Sequence, residues 1–216
     1  MPNEELTDVT AKQQQNEVAD LAPASGSAAL SIWNDSRLMK QAFSAAKYFA
    51  SSAIAPEPLY RNHPENCLIA IDIANRMGVS PLPVMQNLYI VKGKPCWAGS
   101  FCIAAINSCG RFTPLEFVTD EDGTTYAKAT RKATGAVCCG TPITWDMVKN
   151  EGWLDKQGSK WKTMPQQMFM YRAATFFARV YCPDVLMGLQ TKDEVEDVYG
   201  YEPAAPSVTV ISLDDA

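Results

Sequence analysis

The sequence predicts an α+β fold: a small antiparallel sheet or hairpin with helices packed on it, between flexible acidic N- and C-terminal tails. Three observations carry this. Helical apolar spacing fills the chain on either side of a central region. That central region is strand-like and broken by Gly- and Asp-rich turns, the order expected of α+β rather than of alternating α/β chains. Residues 1–30 and 199–216 hold no sustained apolar period and are expected to be flexible, leaving a single body over 31–198.

The first helix is expected over 35–54, with Asp35 as cap and Leu38, Ala42, Ala45 and Phe49 at helical spacing; Pro56 and Pro58 end it. A second follows at 64–77, between Pro64 and Gly78. Ser80-Pro81 opens a short third helix through Gln86. Leu88–Val91 and Pro95–Trp97 flank Lys92-Gly93-Lys94 as a hairpin. An apolar helix over 99–109 stops at Gly110, and strands are expected at 112–118, 124–130 and 136–140, with turns at Asp120–Gly123 and Lys132–Gly135. A short helix at 144–150 leads into a loop, Gly152–Lys162, holding Trp153 and Trp161. The longest helix spans 164–181, with Thr163 and Gln166 as a capping box and Pro165 in its first turn; Thr191 and Glu194 form a second capping box for a last helix at 192–198.

At 216 residues, 47% hydrophobic and 20% charged, the chain is an ordinary globular composition with enough length to bury a core. No run of about 18 apolar residues exists, so no membrane span or membrane partner is expected. The N-terminal residues lack the basic and apolar regions of a secretory signal, which points to the cytoplasm. Seven cysteines, with no C-x-x-C pair and one histidine, read as reduced and mostly buried thiols rather than a zinc site. The net charge of −5 divides unevenly. Residues 1–22 carry a net −4 and 192–216 a net −6, whereas 23–191 holds 17 basic and 12 acidic residues, a net +5. A basic body between acidic tails suits nucleic-acid binding.

Catalytic signatures are sparse. His63 stands in a loop before a helix and is most simply a surface residue; there is no phosphate loop, nucleophile elbow or His-Glu-x-x-His. Asp120, Glu121 and Asp122 read as a solvated turn. Asp184, Asp193, Glu194 and Asp197 could hold magnesium, which keeps a metal-dependent nucleic-acid-processing enzyme as one alternative, but capping and pairing with arginines explain them more simply. A phage protein-interaction module that uses its apolar helices is another.

The basic and aromatic residues say more. Arg172 and Arg179 lie seven residues apart, so they share one face of an otherwise apolar helix and must meet anions, either carboxylates of this chain or phosphates. Asp184 and Glu194 are the internal candidates, with Asp184 closest to Arg179, which leaves Arg172 as the better phosphate ligand. Lys92 and Lys94 at a turn tip, with Tyr89 and Trp97 nearby, suit a phosphate backbone and exposed bases. Arg111 and the alternating stretch Thr124–Lys132, with Tyr126, Lys128 and Thr130 on one strand face and Arg131 after it, form a third group. Lys160-Trp161-Lys162 is a fourth. Taken singly, each reads equally as a solvated turn, a polar sheet face or core.

The run Lys160–Met168, with Tyr171-Arg172-Ala173, Phe177-Ala178-Arg179, Pro183-Asp184, Gly188 and Asp193–Asp197, resembles the C-terminal half of phage recombinases of the RecT family. Ile71, Ala74, Met77–Pro81, Gln86–Val91 and Gly110-Arg111-Phe112 are similar to that family's N-terminal half, so the likeness covers roughly 60–198. It implies a single-strand annealing protein, phage or prophage encoded and acting in the bacterial host cytoplasm. Such a protein binds single-stranded DNA in a basic groove, pairs it with a complement, and holds the new duplex in a homo-oligomeric ring or helical filament. The resemblance implies that no nucleotide is used, and no cofactor is expected. It implies as partners a phage exonuclease and a host single-strand-binding protein, with the C-terminal tail a place for their recognition. On this reading Arg172, Arg179, Lys92, Lys94, Arg111, Lys128, Arg131, Lys160 and Lys162 supply phosphate contacts. Trp97, Tyr89 and Trp161 are candidates to stack or wedge bases.

Overall fold

In a computed structural model, which describes residues 32–199, Asp35 starts the first helix as expected. Its carboxylate accepts from the backbone N–H groups of Arg37 (2.7 Å) and Leu38 (3.3 Å), and α1 runs Ser36–Ser51. α2, Pro64–Met77, begins on its proline and ends at Gly78. The two helices meet through small residues, Ala42, Ala46 and Ala50 of α1 and Cys67, Ala70 and Ala74 of α2, all buried. Phe43, Tyr48, Ile54 and Ile69 remain exposed in this region. The flexible tails expected at 1–30 and 199–216 fall outside the described residues, apart from Tyr199.

α3, Pro81–Asn87, leads directly into β1, Leu88–Val91, and a two-residue turn returns the chain as β2, Lys94–Trp97. Lys92 and Gly93 both have positive φ (49° and 75°), the geometry that matches a tight turn to the twist of the strands. Lys94, expected in the turn, is the first residue of β2, opposite Val91. α4, Gly99–Ser108, buries Phe101, Cys102, Ala105 and Ile106. The second sheet is an antiparallel meander: β3, Glu116–Thr119; β4, Thr125–Thr130; and β5, Val137–Cys139. β4 alternates as predicted, with Thr125, Ala127 and Ala129 buried and Tyr126, Lys128 and Thr130 partly exposed. The strand expected from Phe112 starts only at Glu116. Pro114 has no N–H to give a ladder, and the segment is tied instead by a bridge from Phe112 to Arg131 and by Asn107, whose side-chain oxygen accepts from Leu115 N–H (2.8 Å).

α5, Trp145–Asn150, is capped by Thr144, which accepts from Met147 N–H (3.1 Å). A single helical turn, α6 (Lys160–Thr163), then precedes the longest helix, α7, Pro165–Tyr181. The capping box expected from Thr163 and Gln166 is absent. Thr163 is taken up in α6, and the backbone position before Pro165 belongs to Met164, which makes no side-chain cap. A 3-10 turn at Pro183–Leu186 and a two-residue strand, β6 (Gln190–Thr191), bring the chain back. β6 pairs parallel to β2, completing a sheet of order β1-β2-β6. The last helix, α8, is Lys192–Tyr199. Its capping box is formed as predicted: Thr191 N–H donates to the Glu194 carboxylate (2.7 Å) and Glu194 N–H donates to Thr191 Oγ1 (3.3 Å).

The α+β expectation therefore stands, with eight α-helices and two three-stranded sheets among the described residues. No single helix among these residues is long and apolar enough to cross a membrane. The core centres on α7, packed between α4 and β4. Phe177 is fully buried there, edge-on to Phe112 at 5.4 Å between ring centroids. Gly140 lies so close that a Cβ would come within 3.2 Å of the Phe177 backbone, a tight contact, so the missing side chain eases the approach of the sheet to α7. Phe177→Ala should cost about 3–5 kcal/mol of unfolding free energy, and Val180→Ala on the exposed side of α7 should change it by less than ~0.5 kcal/mol, both read from urea midpoints.

Candidate nucleic-acid interface

Arg172 and Arg179 do share one stripe of α7, but the stripe faces inward onto α8. The anions they meet here are carboxylates of this chain. Arg172 is only 5% exposed; its guanidinium donates to Asp197 at 2.6 Å and lies 4.0 Å over the Trp153 ring. Lys156 reaches the other oxygen of Asp197, so one carboxylate serves two cations. Arg179 pairs with Glu194 at 2.8 Å and donates to Leu189 O at 2.9 Å. The expected order is thus reversed: Arg172 is the more deeply buried of the two. Asp184 does not hold Arg179, because the 3-10 turn points it at Arg111, which it meets with both oxygens at 2.9 and 3.0 Å.

Above the Arg172–Asp197–Lys156 cluster lies a cleft of about 300 Å³ between the loop Lys156–Lys160 and α8. Trp153, Trp161 and Met168 line its apolar side; Asp193, Glu196 and Lys192 line the other. Burial, and then the neighbouring Arg172 charge, hold the Lys156 ammonium below the ordinary lysine value. Burial likewise lowers Arg172, but a guanidinium stays charged at any physiological pH and must keep an anion beside it.

The hairpin packs against α8 beside the cleft, and Lys192 both lines the cleft and reaches Tyr89. Lys92 donates to the Tyr199 carbonyl, and Lys94 donates to the Tyr199 hydroxyl with its ammonium 4.2 Å over the ring. Tyr89 is 42% exposed, with Lys192 at 5.6 Å from its ring centroid. Lys160 and Lys162 are exposed and form no ion pair among the described residues; Lys160 lines the cleft and Lys162 an adjoining hollow. Lys92, Lys94, Tyr89 and Lys160 are brought together about α8, and Lys162 stands next to them. Arg111, Lys128 and Arg131 are not. Lys128 pairs with Glu116 at 3.2 Å across β3 and β4, and Arg131 covers the Phe112 ring.

Two expected base-stacking residues are core. Trp97 is fully buried, stacked on Phe101 at 4.4 Å, and its indole N–H donates to Leu186 O at 3.1 Å. Trp161 stacks on Trp153 and meets Phe169 edge-on. The magnesium alternative loses its ligand set. Asp184 is held by Arg111 and Asp197 by Arg172 and Lys156, and no three His, Cys, Asp or Glu side chains among the described residues converge as ligands. All seven cysteines are free, and five of them are buried. The sequence reading missed Lys156, Trp153 and Tyr199. Lys156 carries no local signal, whereas Trp153 and Tyr199 are visible as aromatic residues in the segments before and after α7.

Burial acts to raise the Glu194 pKa, but hydrogen bonds from Arg179 and Thr191 outweigh it and hold the carboxyl below the ordinary value. A carboxyl depressed in the folded state adds stability above its unfolded value of about 4.3, lost as pH falls through the lower folded value. Thermal melts should therefore show Tm falling below about pH 4.3, and Arg179→Gln should flatten that part of the curve. Comparison with protein-family models, with curated proteins and with solved structures returns no match.

Proposed function

We propose that this chain is an ATP-independent single-strand DNA annealing protein of phage recombination, acting in the cytoplasm of a bacterial host. The resemblance of residues 60–198 to the RecT family suggests it. The observation that carries it is the arrangement about α8. Lys92, Lys94 and exposed Tyr89 of the hairpin and Lys156 and Lys160 of the cleft lie around it, with Lys162 on the adjoining hollow. Lysines gathered about one short helix suit a phosphate backbone. Backbone contact leaves base edges free for a complement, which annealing requires. One exposed aromatic ring can support a base without reading its sequence.

Each subunit would cover few nucleotides, so avidity along a ring or filament has to supply the affinity. The exposed apolar side chains Phe43 and Tyr48 of α1 and Ile69 of α2 offer a surface for that self-association. An alternative reading, a protein-interaction module without DNA affinity, draws on the same apolar face but gives no role to Lys160 and Lys162.

Purified protein should speed the annealing of complementary oligonucleotides without ATP, and binding to one strand should weaken steeply with salt. Each phosphate contact contributes about −0.7 to the slope of log K against log [salt]. Lys160→Gln with Lys162→Gln should make the slope shallower by about 1.4 and slow annealing at low salt. Annealing no faster than in buffer alone, with no mobility shift at low salt, would dispose of the reading.

A further inference from the structure

Three carboxylates of α8 face the cations that a single strand would need. Asp197 holds Arg172 and Lys156, Glu194 holds Arg179, and Glu196 pairs with Lys192 at 3.6 Å. Tyr199 covers Lys92 and Lys94. The two turns of this helix are attached very differently. The first is anchored: Glu194 joins Thr191 and Arg179, Val195 is fully buried, and β6 pairs with β2 just before it. In the last turn, Val198 is exposed and contributes no buried apolar side chain. An eight-residue helix has little stability of its own, so its end is held chiefly by charge.

We propose that Arg172 and Lys156 form a latent site for the phosphodiester backbone of single-stranded DNA, covered in the free protein by the last turn of α8, Glu196–Tyr199. This rests on the annealing function proposed above and specifies how its site is regulated. The step is an exchange of anions. A strand that first engages exposed Lys160 and Lys162 brings phosphates to the cleft, where they replace Asp197 on Arg172 and Lys156. The guanidinium stays paired throughout, so the exchange avoids a buried unpaired cation, the costly alternative. Movement of the turn also takes Tyr199 off Lys94, so a lysine of the hairpin becomes available together with the cleft. Arg179 remains with Glu194 and the anchored first turn and does not contact the strand.

Hydrogen exchange of the full chain, with and without saturating oligo-dT, tests this, with binding measured separately by fluorescence anisotropy. Amides of 196–199 should lose protection on DNA binding while those of 191–195 keep theirs. Asp197→Asn and Glu196→Gln should each tighten oligo-dT binding by about fivefold or more, the lower range for a coupled competitor. Glu196→Gln does not touch Arg172, so it carries the test if Asp197→Asn fails to fold. If DNA binds and anneals while 196–199 stays protected and Glu196→Gln leaves affinity unchanged, the latent site is wrong and the annealing function survives. If no oligonucleotide binds at all, both fall.

Discussion

The guanidinium of Arg172 is the constraint on which the rest of the C-terminal architecture depends. α7 is buried on most of its surface, and a cation in its middle cannot be left without an anion. The chain after α7 must therefore return a carboxylate to that point. The 3-10 turn at Pro183–Leu186 reverses it, β6 fixes it to the edge of the first sheet, and the Thr191–Glu194 capping box sets where α8 begins. Given that start, Glu194 falls opposite Arg179 and Asp197 opposite Arg172. The Trp153 ring closes the remaining side of the guanidinium, which draws the loop before α6 into the same structure.

What was legible in the sequence was what local chemistry determines. Asp35, Pro64, Thr144 and the pair Thr191–Glu194 act within four residues of themselves, and the elements they start are where the sequence puts them. Strand β4 reads correctly because its alternation is intrinsic to the segment. The failures are places where a distant partner or a neighbouring element decides. Thr163 was free to cap a helix only if no turn preceded it, and α6 does. Trp97 and Trp161 resemble exposed stacking rings in sequence because lysines stand beside them, yet strand and helix alternation turns each inward.

The charge count failed instructively. Dividing the chain at residue 191 assigns the acids of α8 to an acidic tail and leaves a body of net +5. The structure assigns those acids to the body, where they neutralise its most buried cations. Over 32–199 the basic residues number 18 and the acidic 16, so the excess is slight. Net charge is thus a poor guide to this interface, and the distribution of unpaired lysines is the better one.

That distribution separates the two faces of the molecule. At the second sheet, Lys128 is matched by Glu116 and Arg111 by Asp184, both exposed carboxylates, and Arg131 lies on the buried Phe112 ring. Surface pairs of this kind contribute little and can exchange with any anion, but they are scattered and no single element holds them. About α8, Lys160 and Lys162 have no such partner among the described residues, Tyr89 is exposed, and Arg172, Arg179, Lys156 and Lys94 all meet residues of one short helix. A ligand that displaces that helix gains several cations in one movement; a ligand on the second sheet gains them one at a time. Cooperative exchange of this sort favours a polyanion over a single phosphate, because only a polyanion presents its next charge where the first displacement has opened a site.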